Sequence, residues 1–146
     1  MHTKVLEIGG LFAILIIISF RFKKLEATQL AYPILLSLFP IFYWIFVMYA
    51  EDYSVLVKEI LIGCIYFFIS FIAYWSRSFW AQILLGISFI VHAIYDIFHE
   101  YLFQNPGTPI WWPEFCGAID ILIGEYVLYM TLSNKNAKNL SNQGSF

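Results

Sequence analysis

Residues 79–100 read FWAQILLGISFIVHAIYDIFHE, a long apolar run that ends in His92, Asp96, His99 and Glu100. A helix advances about 100° per residue, so positions i, i+4 and i+7 fall within a sector of roughly 60°. His92, Asp96 and His99 therefore share one face near the end of a helix that is otherwise apolar on every side. A helix apolar all round is buried in a large core or in lipid. Ionisable groups inside a membrane are costly and point into the bundle or a cavity. This stretch predicts a membrane helix with a buried polar site at one end.

The rest of the chain agrees. Of 146 residues 61% are hydrophobic, 21% aromatic and only 12% charged, against roughly 25% charged in ordinary soluble domains. A soluble domain of this size could not hide so much apolar surface, and lipid is the matching solvent. The net charge of −2 and the absence of a basic stripe exclude a nucleic-acid partner. Cys64 and Cys116 should differ in depth by about 10 Å on a rise of 1.5 Å per residue, beyond the ~7 Å limit for a disulfide. No Cys-x-x-Cys motif is present.

Five apolar spans follow, at 5–20, 30–50, 55–75, 79–98 and 115–133. The first is closed by Arg21, Lys23 and Lys24; its positive cluster follows the apolar run, unlike a signal peptide. Pro33 and Pro40 lie in the second and should kink it. Lys58 and Glu59 open the third and read as an interfacial ion pair with snorkelling side chains. Trp75 and Trp80 flank a short turn, and Trp111 and Trp112 close the one long loop, as interfacial aromatics do. Within that loop Asn105–Pro109 is a turn signal. Residues 134–146 read as a polar, disordered tail behind a single transmembrane domain over 1–133.

Arg21, Lys23, Lys24, Arg77, Lys135 and Lys138 fall on one side of this five-span topology. The bias predicts an all-α integral membrane protein with its N-terminus outside and its C-terminus inside, in a cytoplasmic membrane of bacterial or archaeal type. All three histidines (His2, His92, His99) and most acids then lie in or beside the outer half. Expected depths below the outer rim are about 10 Å for His92, 4 Å for Asp96 and 7 Å for Asp120, so these meet if the fourth and fifth helices pack together. Cys116, Asp120 and Gly124 form one stripe, and Gly117 and Gly124 would allow a close approach. Glu125 lies about 140° from Asp120 and faces elsewhere.

Two imidazoles and a carboxylate on one face, completed by Asp120 (or by Glu59 or Glu51), form a donor set suited to zinc or iron. An open position on such a metal activates water or takes a polar substrate group. Without metal, a His–Asp pair serves as proton relay or general base, or as a structural network between helices. The expected function is a metal-dependent or acid/base membrane enzyme acting on a lipid-like or small amphiphilic substrate, with His92, Asp96 and Asp120 catalytic. The alternatives are an accessory subunit of a larger membrane complex or a homo-oligomer, and a proton- or cation-coupled transporter using Asp96 and Asp120. Three histidines are too few for a desaturase-type di-iron site, and no phosphate loop or serine elbow is present.

Overall fold

The computed structural model describes residues 3–103 and 105–143. All regular structure among them is helical: α1 (Thr3–Phe22), α2 (Ala31–Tyr49), α3 (Tyr53–Ser76), α4 (Phe79–Leu102) and α5 (Trp112–Gln143), with one 3-10 turn at Leu25–Thr28. Each of the five helices is long and apolar enough to cross a membrane. His2 lies outside the described residues.

The turns follow from local chemistry. Asp52 caps α3, its side chain accepting from the Ser54 backbone N–H at 3.1 Å and from the Ser54 hydroxyl at 2.6 Å. These bonds hold the Asp52 carboxyl below its ordinary pKa. Ser78 caps α4 by accepting from the Ala81 N–H. Arg77 ends α3 in the left-handed conformation. The Asn105–Pro109 turn forms, with Asn105 Oδ1 accepting from the Gly107 N–H at 3.1 Å.

Two sequence expectations are corrected here. Pro33 does not interrupt α2: it lies in the first turn, where backbone N–H groups have no intrahelical partner to lose, and Pro40 alone sits inside the helix. The segment 134–143, read from the sequence as part of an unstructured tail, continues α5 as helix, and 144–146 lie outside the described residues.

The most extensive interface joins α4 to α5, followed by α2 to α3 and α1 to α5. Close approach of α4 and α5 depends on two glycines. A Cβ on Gly124 would lie 2.9 Å from the Gly86 carbonyl, and one on Gly86 would meet Leu128 at 2.7 Å. Gly117, by contrast, has room for a methyl group. The apolar core runs through Ala13, Leu36, Phe39, Phe89, Ile119, Ile123 and Val127. Leu11, Ile14 and Leu15 of α1, Leu61, Ile65 and Phe68 of α3, and Val91 and Ile94 of α4 face outward. Of the tryptophan pair only Trp111 is well exposed; Trp112 packs on Phe42 and Phe46 at ring distances of 4.9 and 5.0 Å.

Candidate functional site

Four of the five helices send a polar side chain into one buried cluster. Helix α4 has the largest share, because its buried stripe (Leu85, Phe89, His92, Asp96, His99) repeats at the spacing of one helix face. Helix α5 adds Asp120, one turn beyond buried Cys116. Helix α3 adds Glu59 from the stripe Val55, Glu59, Gly63, Tyr66, and α2 adds Tyr43 from the stripe Tyr32, Leu36, Phe39, Tyr43. His92, Asp96, His99, Asp120 and Glu59 are all 2% exposed or less.

The cluster has two halves. In the first, His92 Nδ1 lies 2.7 Å from Asp120 Oδ2 and 3.5 Å from Asp96 Oδ2. In the second, His99 Nε2 and Glu59 Oε1 share a hydrogen bond of 2.6 Å, and the Tyr95 hydroxyl donates to Glu59 Oε2 at 2.6 Å. Tyr43 joins them: its hydroxyl donates to Asp96 Oδ1 at 2.7 Å while its ring stacks on His99 with centroids 4.2 Å apart. Tyr66 stands edge-on to His92 at 4.7 Å, and Phe39 covers another side at 5.6 Å. Aromatic walls fix the imidazole and keep the dielectric low.

Charge balance in this cluster is incomplete. Glu59, Asp96 and Asp120 supply three carboxyl groups, and His92 and His99 supply two imidazoles, with no lysine or arginine bonded to any of them among the described residues. His92 Nε2, Asp96 Oδ2, Asp120 Oδ1 and His99 Nδ1 are buried without a hydrogen-bond partner in the protein. Buried polar atoms are normally satisfied, so these atoms need a proton, a water or a cation.

The first half is the candidate metal centre. His92, Asp96 and Asp120 each offer a ligand atom, all within 4.8 Å of one another. Ligand atoms around one tetrahedral zinc stand roughly 3.4 Å apart on bonds of about 2.1 Å; the 3.5 Å from His92 Nδ1 to Asp96 Oδ2 matches that scale, whereas the 2.7 Å from Nδ1 to Asp120 Oδ2 is a hydrogen bond. His99 does not join this set. It shares the face of His92 and Asp96, as expected, but its Nε2 is taken by Glu59. Glu59 is not the snorkelling partner of Lys58: adjacent residues on a helix point about 100° apart, leaving Lys58 exposed and Glu59 inside. Glu51 sits in the exposed α2–α3 turn with φ 57°, away from the cluster.

A groove borders the cluster at Asp96. It measures about 470 Å³, lies between α1, α4 and α5 and is lined by Leu6, Asp96, Ile97, Glu100, Glu114 and Ile121, among others. Its lining is mainly apolar, with Asp96, Glu100 and Glu114 as its acidic members. Tyr43 and Tyr66 were not foreseen as parts of the site, although the four- and three-residue spacing of the α2 stripe would have placed Tyr43 inward. Comparison with protein-family models, with curated proteins and with solved structures finds no match for this chain.

Proposed function

We propose that this chain is an integral membrane protein with a divalent-metal centre on His92, Asp96 and Asp120, acting as a metal-dependent or acid/base enzyme on a lipid-like or small amphiphilic substrate. The observation that carries this reading is one buried histidine and two buried carboxylates that each offer a ligand atom within 4.8 Å of the others, with His92 Nε2, Asp96 Oδ2 and Asp120 Oδ1 left without a partner in the protein. Two anionic carboxylates and a neutral imidazole carry a charge of −2, which a zinc or ferrous ion neutralises. The mainly apolar groove lined by Asp96, Glu100 and Glu114 supports an amphiphile as the substrate class.

The metal would supply a Lewis acid or an activated water. The protein's own groups have separate tasks. Asp120 and the aromatic rings hold the orientation of His92. Tyr43 fixes one oxygen of Asp96 and leaves the other free. Glu59, His99 and Tyr95 form a hydrogen-bonded support behind Tyr43. Of the three ligand residues only Asp96 lines the groove, which sets it next to a bound amphiphile.

The gathering of Arg77 and Lys135 around one cavity, and of Arg21 beside it, at the end opposite the tryptophan loop supports the orientation with that end cytoplasmic. Elemental analysis of the detergent-purified protein tests the centre. Near-stoichiometric zinc or iron, absent from His92→Ala and Asp96→Ala, is the expected result; protein that stays metal-free after reconstitution would contradict it. A second reading, an accessory subunit, is favoured by the outward apolar face of α1 and by Glu125 standing exposed on α5. It predicts co-purification with a membrane partner at fixed ratio, lost in Glu125→Leu.

A further inference from the structure

The end of the bundle away from the His/Asp cluster holds a second cavity, about 430 Å³, built from five chain segments. Arg77 reaches it from the α3–α4 turn, Lys135 from the extension of α5, and Glu26 from the turn before α2. Phe79, Trp80 and Gln82 bring in the first turn of α4. The position of each cation is set by its neighbours. Lys135 Nζ lies 4.1 Å from the Phe79 ring centroid and 5.9 Å from that of Trp80. The Arg77 guanidinium lies 5.4 Å from the Tyr74 ring and donates from Nε to the Tyr74 carbonyl at 3.4 Å.

From this geometry we infer that the cavity binds a phosphate group at the membrane rim, in the form of a phosphodiester lipid headgroup. Two cations on different elements, Arg77 and Lys135, line it beside the Ser78-capped first turn of α4. Arginine and lysine add charge-assisted hydrogen bonds to phosphate oxygens. Glu26 selects among phosphates. Its carboxylate, which accepts from the Tyr32 hydroxyl at 2.7 Å, disfavours a dianionic free phosphate and accepts from a hydroxyl or ammonium on the far side of a monoanionic diester. Met130, Pro33 and exposed Trp80 offer apolar surface beside the acyl chains. The site is independent of the metal centre and shares no residue with it.

The test is native mass spectrometry of the detergent-purified protein titrated with phosphatidylglycerol, diacylglycerol or inorganic phosphate. The inference predicts one retained phosphatidylglycerol per chain, about tenfold weaker binding in Arg77→Gln and in Lys135→Gln, as for loss of one charge-assisted contact, and near-normal binding in Lys135→Arg. Both positions are exposed, and unchanged melting of the variants would show that the fold is intact. Equal retention of diacylglycerol, or undiminished phosphatidylglycerol on an Arg77→Gln/Lys135→Gln double variant, would overturn the site. Displacement of the lipid by millimolar inorganic phosphate would overturn the headgroup assignment.

Discussion

Helices α1 and α4 are both long and apolar, yet 11% of the most apolar window of α1 is buried inside the bundle, against 50% for α4. Within α1 only Gly9 and Ala13 are buried, both small, and the large side chains face outward. Within α4 the buried face carries His92, Asp96 and His99 together with Leu85 and Phe89. Hydropathy does not separate two such helices. What separates them is whether polar groups repeat on one face, because a polar group in lipid must find a partner. That requirement assembles α2, α3 and α5 around α4 and leaves α1 mainly against α5.

The largest effect should come from unpairing a group at the centre. Asp120→Ala leaves His92 without its 2.7 Å partner, and a buried polar group left unpaired costs about 1–3 kcal/mol, more where it is charged. A thermal or denaturant melt in detergent should show this loss. On α1, Leu15→Ala at a 53% exposed position should change stability by less than about 0.5 kcal/mol. A comparable loss at both positions would break the contrast.

Next in size is packing. Gly124→Leu drives a side chain into the Gly86 carbonyl, Ile90 and Phe89, an overpacking that costs about 1–3 kcal/mol; Gly117→Ala, where a Cβ makes only ordinary contact, should be nearly neutral. Melting the two variants side by side checks that α4 and α5, not the chain as a whole, set the tolerance. Tyr43→Phe keeps the ring on His99 and removes the hydroxyl bond to Asp96, with an expected cost of about 1 kcal/mol. It should lower activity or metal affinity by more than Tyr66→Phe does, since no bond from the Tyr66 hydroxyl to the cluster is seen.

The smallest effect lies outside the bundle core. Asp52 has a folded pKa below its ordinary value because Ser54 donates to its ionised form. The cap therefore stabilises the fold above the ordinary value of 3.8 and is lost as pH falls through the lowered one. Asp52→Asn should flatten that part of the pH–stability profile below pH 4 and leave neutral pH nearly unchanged.

Much of this was legible in the chain, and the failures have specific causes. The five helices followed from apolar length, and Asp120 was found through the Cys116–Asp120–Gly124 stripe because depth along two antiparallel helices can be counted. Glu59 was misread because Lys58 is its neighbour in sequence, whereas neighbours on a helix do not face each other. His99 was grouped with the metal ligands because one face was taken to mean one partner. Seven residues span two turns, enough to pass from Asp120 on α5 to Glu59 on α3. Tyr43 escaped notice because a tyrosine in an aromatic-rich span carries no compositional signal, and only the three-dimensional crossing of α2 over α4 brings its hydroxyl to Asp96.

The central claim is that one half of the polar cluster holds a cation and the other half supports it. Metal stoichiometry of the purified protein, measured beside Asp120→Asn and His99→Ala, tests that division most directly. Close to one zinc or iron per chain should be found in the unaltered protein and in His99→Ala, and almost none in Asp120→Asn. Equal metal loss in both variants would contradict the division into a metal-holding triad and a supporting pair, and an absence of metal from all three proteins after reconstitution would contradict the metal centre itself.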